Sequence, residues 1–123
     1  SNIFTYNMDQ VHDIFENILI NAIKYNENSH MKINIRISKR LINNKPFILL
    51  EFVDNGIGVP DNRKKAIFMR NNRELKGSKG MGLGLSLVSK ILSKFNGKIW
   101  VEDKIKGNYS KGSNFKILLP KID

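Results

Sequence analysis

The chain has 123 residues, 41% of them apolar, which is enough for about one domain with a hydrophobic core. It has no cysteine, which excludes disulfides and thiolate metal sites, and no apolar run near the roughly 20 residues that cross a bilayer. The net charge of +10 comes from lysines scattered along the chain, which indicates a solvated basic surface rather than a nucleic-acid site. The N-terminus lacks the pattern of a signal peptide, so we expect a cytoplasmic domain, with residues 1–2 set aside as a tag remnant.

The first half of the chain predicts one helix and a hairpin. Apolar residues recur at helical spacing from Asp9 to Asn26, with Asp9 as the predicted N-cap. Residues 31–39 alternate apolar and polar side chains, which predicts a half-buried strand. A turn at 43–46 leads to a second strand, Phe47–Val53, and the two strands form a predicted antiparallel hairpin.

The second half predicts a polar, basic segment between short elements. The expected elements are, in chain order, a helix start at Pro60, a short helix Lys64–Phe68, a flexible lid at about 69–80, a helix over Met81–Phe95 that ends at Asn96-Gly97, and strands Lys98–Glu102 and Asn114–Leu119 joined by a turn region, Lys106–Ser113. Ile3–Tyr6 is a candidate edge strand.

This order of elements predicts one domain over residues 1–123. The expected fold class is α+β: a two-layer sandwich in which about three helices cover one face of a sheet of about five strands. The sheet is expected to be mixed and mostly antiparallel, because the predicted strands follow one another in pairs.

Polar side chains share one face of the first predicted helix. Asn17, Asn21, Lys24 and Tyr25 follow at spacings of four, three and one, which places them together. An asparagine oxygen can bind Mg²⁺, which takes few protein ligands and leaves the rest to phosphates and water. Lys24 can meet phosphate oxygens, and Tyr25 can lie beside a base or sugar. The alternative is an ordinary exposed polar face of an amphipathic helix.

A carboxylate and two glycines follow the second predicted strand. Asp54 can accept a hydrogen bond from an adenine amino group, and Gly56 and Gly58 lack the Cβ that would keep the backbone away from the ring. The same Asp-Asn-Gly sequence is also typical of a turn, and both interpretations stay open for this motif alone.

A third motif opens the last predicted helix. Gly80, Gly82 and Gly84 precede Ser86–Phe95, and helix N-termini with closely approaching glycines bind phosphates. A dinucleotide-binding motif would need a preceding strand, whereas here a basic loop precedes it. The sequence also has no Gly-Lys-Ser or Gly-Lys-Thr phosphate loop.

Taken together, the three motifs resemble the N, G1 and G2 boxes of a sensor histidine kinase catalytic domain. That domain binds ATP and belongs to the gyrase, MutL and histidine kinase ATPase superfamily. The resemblance covers residues 3–121 and implies the Bergerat fold, Mg²⁺ and ATP as cofactors, and a flexible lid.

The resemblance also implies roles for individual residues. Asn21 would be the principal Mg²⁺ ligand, and Asn17, Asn21 and Lys24 would form the catalytic set, with Asn17 and Lys24 at the phosphates. Asp54 would bind the adenine amino group. The remaining nucleotide contacts would be made near the base by Tyr25, Gly56, Ile57 and Gly58, and at the phosphate end by Gly80, Gly82, Leu83 and Gly84.

Two features depart from the family pattern. Ile67-Phe68 matches the start of the F box, but its second phenylalanine is absent, because Met69-Arg70-Asn71-Asn72 follows. No acceptor histidine is evident: His12-Asp13 is followed by no proline, and His30 lies in a predicted turn.

The resemblance implies that this chain transfers the γ-phosphoryl group of ATP to a histidine on a separate dimerisation domain of the parent protein. A response regulator would be an indirect partner. The isolated chain is expected to be monomeric, without nucleic-acid or membrane contacts, although segments elsewhere could anchor the parent protein.

Three other functions remain as alternatives. A gyrase- or MutL-type ATPase activates water with a glutamate one turn before the metal-binding asparagine, but here that position is Asn17, and Glu16 points elsewhere. An anti-sigma serine kinase shares all three boxes. A basic nucleic-acid module would need more exposed aromatic residues than Trp100 and Tyr109.

Overall fold

The computed structural model describes residues 8–69 and 81–121, and for residues 8 and 81–83 the description is limited to the backbone. Its elements are α1 (Met8–Lys24), β1 (Ile33–Ile42), β2 (Lys45–Asp54), two short 3-10 helices (Asp61–Arg63 and Ala66–Phe68), α2 (Met81–Ser93), β3 (Lys98–Ile105) and β4 (Asn108–Pro120). None of the helices in these ranges is long and apolar enough to cross a membrane.

The four strands form one sheet in the order β1-β2-β4-β3, and every neighbouring pair is antiparallel. The predicted α+β class is confirmed. The sheet has four strands in the described residues rather than about five. The candidate strand Ile3–Tyr6 lies outside those residues, as does the predicted lid from residue 70 to residue 80.

The core lies between the two helices and one face of β2, β3 and β4. Ile18 of α1 and Val88 and Leu92 of α2 are almost fully buried, as are Phe52 and Ile117 of the sheet. The ring of Phe15 meets that of Phe52 edge-on, with centroids 5.3 Å apart. The apolar periodicity of the two helix sequences therefore marks the faces that hold the layers together.

The predicted half-buried character of the first strand is wrong. Ile35 and Ile37 pair with Phe52 and Leu50 and face the helix side, yet they are 45% and 70% exposed. The buried core includes side chains from β2, β3 and β4 but, within the described residues, none from β1. The alternating pattern correctly predicted a strand. Its exposure follows from its place beyond the part of the sheet that packs on the core, since the opposite edge strand, β3, still buries Val101.

Two predicted boundaries are also wrong. Asp9 is not the N-cap, because α1 already includes Met8, and its carboxylate lies in the first turn, where the helix dipole favours negative charge. The turn predicted over Lys106–Ser113 is only Lys106-Gly107, and β4 begins at Asn108. Gly107 has φ +82°, which allows a two-residue hairpin and lets the strands continue.

Asparagines adopt the left-handed backbone conformation at the predicted β1–β2 turn and at the predicted end of α2. The turn between β1 and β2 is confined to Asn43 and Asn44, with φ of 52° and 64°. After α2, Asn96 has φ 59°, and the Gly97 amide donates to the Leu92 carbonyl at 2.8 Å. Asn96-Gly97 thus follows the end of the helix as predicted, with asparagine as the left-handed residue, although α2 itself ends at Ser93 rather than at the predicted Phe95.

Candidate nucleotide-binding site

A cavity of about 170 Å³ lies between α1, the end of β2, the middle of β4 and the 3-10 segment that follows β2. Its lining residues are Asn21, Ala22, Tyr25, Asp54, Ile57, Gly58, Val59, Pro60, Arg63, Ile67, Leu85, Ser113 and Phe115. Pockets for drug-sized ligands have about 300–1,000 Å³. This cavity therefore suits a single base-sized group, and the rest of a nucleotide would extend beyond it.

Asp54 supplies a buried carboxylate to the cavity wall. It is 6% exposed, and its Oδ1 accepts hydrogen bonds from the amides of Gly56 at 2.8 Å and Ser113 at 3.3 Å. Burial raises the pKa of Asp54 above its usual value, and the two hydrogen bonds and the charge of Lys104 offset this only in part. The fold thus buries the Asp54 carboxylate at the cavity wall, where a hydrogen bond from a ligand amine would replace the water that the carboxylate has lost.

Asn55 joins this wall to the loop that follows α1. Its Oδ1 accepts from the Asn26 side chain at 2.7 Å and the Lys32 amide at 2.9 Å, and its Nδ2 donates to the His30 carbonyl at 3.0 Å. The sequence indicated only turn chemistry here. The structure shows that the middle residue of Asp-Asn-Gly fixes the position of its neighbour Asp54.

Two polar atoms, one on α1 and one directly after it, face the cavity region without a partner among the described residues. Asn21 on α1 is 7% exposed, and within that part of the chain neither its Oδ1 nor the buried hydroxyl of Tyr25 has a hydrogen bond. Buried polar groups are nearly always hydrogen-bonded in native proteins, so a bound molecule would complete them. An unpartnered amide oxygen of this kind is chemically suited to Mg²⁺.

Asn17 and Lys24 do not line the cavity. The Asn17 side chain donates to the Asp13 carbonyl at 2.7 Å, and its Oδ1 lies beside Gly84, where an added Cβ would be 2.7 Å away. Lys24 is exposed in the last turn of α1. Their roles at the phosphates remain predictions.

Two glycines of the third motif lie within the helix. α2 includes Met81, where the predicted helix begins, so Gly82 and Gly84 lie inside its first turn. Gly80 is outside the described residues, and Gly82 and Leu83 are described by backbone only. Phosphate binding by this motif therefore stays a prediction.

Sequence reasoning missed the residues of β4 and of the 3-10 segment that line the cavity. Gly112 could have pointed to β4, because its φ of +124° and its contact with Asp54 require glycine: an added Cβ would lie 2.1 Å from the Asp54 carbonyl oxygen. Ser113, the next residue, binds Asp54 through its amide. Other missed residues, among them Val59 and Phe115, carry no motif that separates them from core positions.

Both histidines lie away from the cavity. His12 is 72% exposed on α1, with Asp13 and Glu16 at 3.9 and 3.7 Å, and His30 is exposed in the loop that follows. Neither lines the cavity.

Known proteins are similar in sequence to nearly the whole chain. A sensor protein kinase WalK from Staphylococcus aureus is 32% identical over 123 residues, covering 96% of this chain and 28% of WalK. Cyanobacterial phytochrome B from Nostoc is 35% identical over 117 residues, covering 92% of this chain and 14% of the phytochrome. The chain therefore spans less than a third of the curated relatives that it matches.

A solved structure matches as well. The catalytic domain of histidine kinase ThkA superposes with a TM-score of 0.71 and 26% identity, covering 92% of this chain and 67% of that one. The family of histidine kinase-, DNA gyrase B- and HSP90-like ATPases matches residues 6–123. A match of this extent, on a cavity whose wall carries Asp54 and Asn21, shows that the chain belongs to this family of ATPases.

Proposed function

We propose that this chain is the Mg²⁺- and ATP-binding catalytic domain of a sensor histidine kinase. The observation that carries the proposal is the pairing of a buried carboxylate, Asp54, with an unpartnered amide oxygen, Asn21 Oδ1, around one base-sized cavity. The likeness to sensor kinases supports the same function.

In this function the cavity holds the adenine base. Asp54 accepts a hydrogen bond from the exocyclic amine, while the apolar side chains of Ile57, Ile67 and Leu85 exclude water from the ring. The Asn21 oxygen holds Mg²⁺, which supplies charge neutralisation at the phosphates. Lys24 and Asn17 are the residues proposed to contact the phosphates, together with the glycine motif of residues 80–84.

The chain lacks a base for rapid hydrolysis at the expected position. Asn17 lies one turn before Asn21, and an amide cannot take a proton from water at neutral pH. We therefore propose phosphoryl transfer to a histidine on a dimerisation domain elsewhere in the parent protein, and indirectly to a response regulator. The chain itself acts as a cytoplasmic monomer in this proposal.

Isothermal titration tests the nucleotide site. The folded chain is expected to bind ATP and ADP, and chelation of Mg²⁺ is expected to weaken ATP binding. Asn21→Ala removes the proposed metal ligand and should lower ATP affinity in Mg²⁺ by at least about tenfold, whereas Asn34→Ala on the exposed face of β1 should not. Absence of binding at millimolar nucleotide by the folded chain would refute the proposed function.

Labelling with γ-³²P-ATP tests the transfer step. The isolated chain should hydrolyse ATP very slowly and should not label itself, because its histidines lie away from the cavity and in-line attack needs a positioned nucleophile. Adding the dimerisation domain of the parent protein should produce acid-labile phosphate on that domain. Stoichiometric label on the lone chain that His12→Ala or His30→Ala removes would identify an internal acceptor instead.

A further inference from the structure

Lys64 lies at the centre of a polar cluster behind the cavity. Its Nζ lies 2.9 Å from Asp103 Oδ1 on β3, 2.5 Å from Asp61 Oδ1, and 2.9 Å from the Val59 carbonyl oxygen. The side chains of Lys64 and Asp103 are only 19% and 14% exposed, whereas that of Asp61 is 91% exposed. The Lys64–Asp103 pair is thus a largely buried salt bridge.

This salt bridge joins two walls of the cavity. On one side, Lys64 belongs to the segment 59–67, whose residues Val59, Pro60, Arg63 and Ile67 line the cavity. On the other side, Asp103 pairs across the sheet with Ser113, whose amide binds the Asp54 carboxylate. A displacement of the 59–67 segment from β3 would therefore change the width of the cavity opposite Asp54.

The electrostatics favour a fixed ammonium at this position. Burial alone would lower the pKa of Lys64, but its hydrogen bonds to Asp103 and Asp61 and their negative charges outweigh that effect, and the net pKa is raised. Removing one member of a buried pair leaves the other charge uncompensated, whereas replacing both by apolar groups is tolerated much better. A single variant and a double variant can therefore show whether an effect comes from an uncompensated charge or from the loss of the salt bridge itself.

We propose that Lys64 is a positioning residue for nucleotide binding, which holds the 59–67 segment against β3 at the width that the adenine base requires. It does not contact the base, since it does not line the cavity. The inference rests on the proposed function, because it assigns the base to this cavity. Lys64 acts through Val59 and Ile67, which its salt bridge keeps opposite Asp54.

Titrations of ADP and of adenosine into four forms of the chain test this proposal. The forms are the unchanged chain, Lys64→Met, the double variant Lys64→Met/Asp103→Leu, and Lys65→Met, a matched control on an exposed neighbouring lysine. We expect Lys64→Met to weaken ADP and adenosine alike by about tenfold, the range of coupling between residues that share partners. The double variant should recover affinity to within about threefold, and Lys65→Met should bind normally.

Each contrary outcome overturns a stated part of the inference. A folded Lys64→Met with the affinity of Lys65→Met excludes a positioning role, and a loss for ADP but not adenosine would mean that Lys64 meets the phosphates. A double variant as weak as Lys64→Met would exclude the salt bridge as the cause. If Lys64→Met only destabilised the fold, the titration would show fewer binding sites per chain with an unchanged dissociation constant, and a positioning role would be excluded.

A replacement variant and the binding of the unchanged chain keep the two proposals distinguishable. If Lys64→Met does not fold, Asp103→Asn takes its place with the same expected loss of affinity. If neither the unchanged chain nor Lys65→Met binds adenine nucleotides, the proposed function fails and the inference fails with it. If both bind and only the Lys64 effect is absent, the proposed function stands and the positioning role is refuted.

Discussion

Asp54→Asn is expected to remove most of the affinity for adenine nucleotides while leaving the unliganded fold at least as stable. The asparagine oxygen can still accept the amides of Gly56 and Ser113, which lie 2.8 and 3.3 Å from Asp54 Oδ1. Its NH₂ group, however, would face the adenine amino group as a second donor. Loss of a hydrogen bond to a charged group costs about 1.5–3 kcal/mol, roughly 10- to 150-fold in affinity.

The expected gain in stability follows from the pKa shift. Burial raises the pKa of Asp54 in the folded chain above the ordinary value of 3.8. The stability that the protonated form contributes is fully present below pH 3.8 and is lost as the pH rises through the folded pKa. At neutral pH the ionised carboxylate therefore destabilises the fold, and a neutral amide of the same shape avoids that effect.

Titration calorimetry and thermal unfolding of the same preparations measure both effects. Asp13→Asn makes the same chemical change on a half-exposed residue outside the cavity and should alter neither quantity. Affinity for ATP in the unchanged chain should also fall as the pH approaches the raised pKa of Asp54 from above. Unchanged ATP affinity in Asp54→Asn, or the same loss for GTP as for ATP, would contradict the adenine assignment.

Gly58→Ala is expected to be among the most damaging substitutions in the chain. Gly58 has φ +78°, and a Cβ built on it would lie 1.7 Å from the Tyr109 carbonyl oxygen. The carbonyl oxygen belongs to the backbone and an alanine Cβ has no rotamer, so neither a rotamer change nor a small side-chain shift relieves the clash. We expect a loss of about 3 kcal/mol or more in the free energy of unfolding, with loss of nucleotide binding in the fraction that still folds.

The hairpin residue Gly107 provides a closely matched control. Its φ of +82° is almost the same, but an added Cβ would meet nothing within 4 Å. Gly107→Ala should therefore show only the conformational penalty of an L-residue in this region, about 1–2 kcal/mol. Urea denaturation of both variants gives the difference, and equal losses would show that the contact with Tyr109 has no energetic weight.

The sequence alone predicted the helices and strands, apart from some of their boundaries, and five residues that line the cavity: Asn21, Tyr25, Asp54, Ile57 and Gly58. The apolar periods of α1 and α2 placed their buried faces, because a helix in a two-layer fold must cover its apolar side. Asn21, Asp54 and Gly58 were found because each belongs to a short local pattern, such as asparagines one turn apart or Asp-Asn-Gly after a strand. Local patterns of this kind can be read from the sequence because they depend only on neighbouring residues and not on the tertiary structure.

The tertiary structure decided which surfaces are buried and which distant residues meet. β1 has the alternation of a half-buried strand, yet as one of the two edge strands of the described sheet it exposes Ile37. Ser113 reaches Asp54, and Lys64 reaches Asp103, across 59 and 39 residues of sequence. No local pattern encodes such pairs, because they depend on sheet order and register, which arise only when the whole sheet assembles.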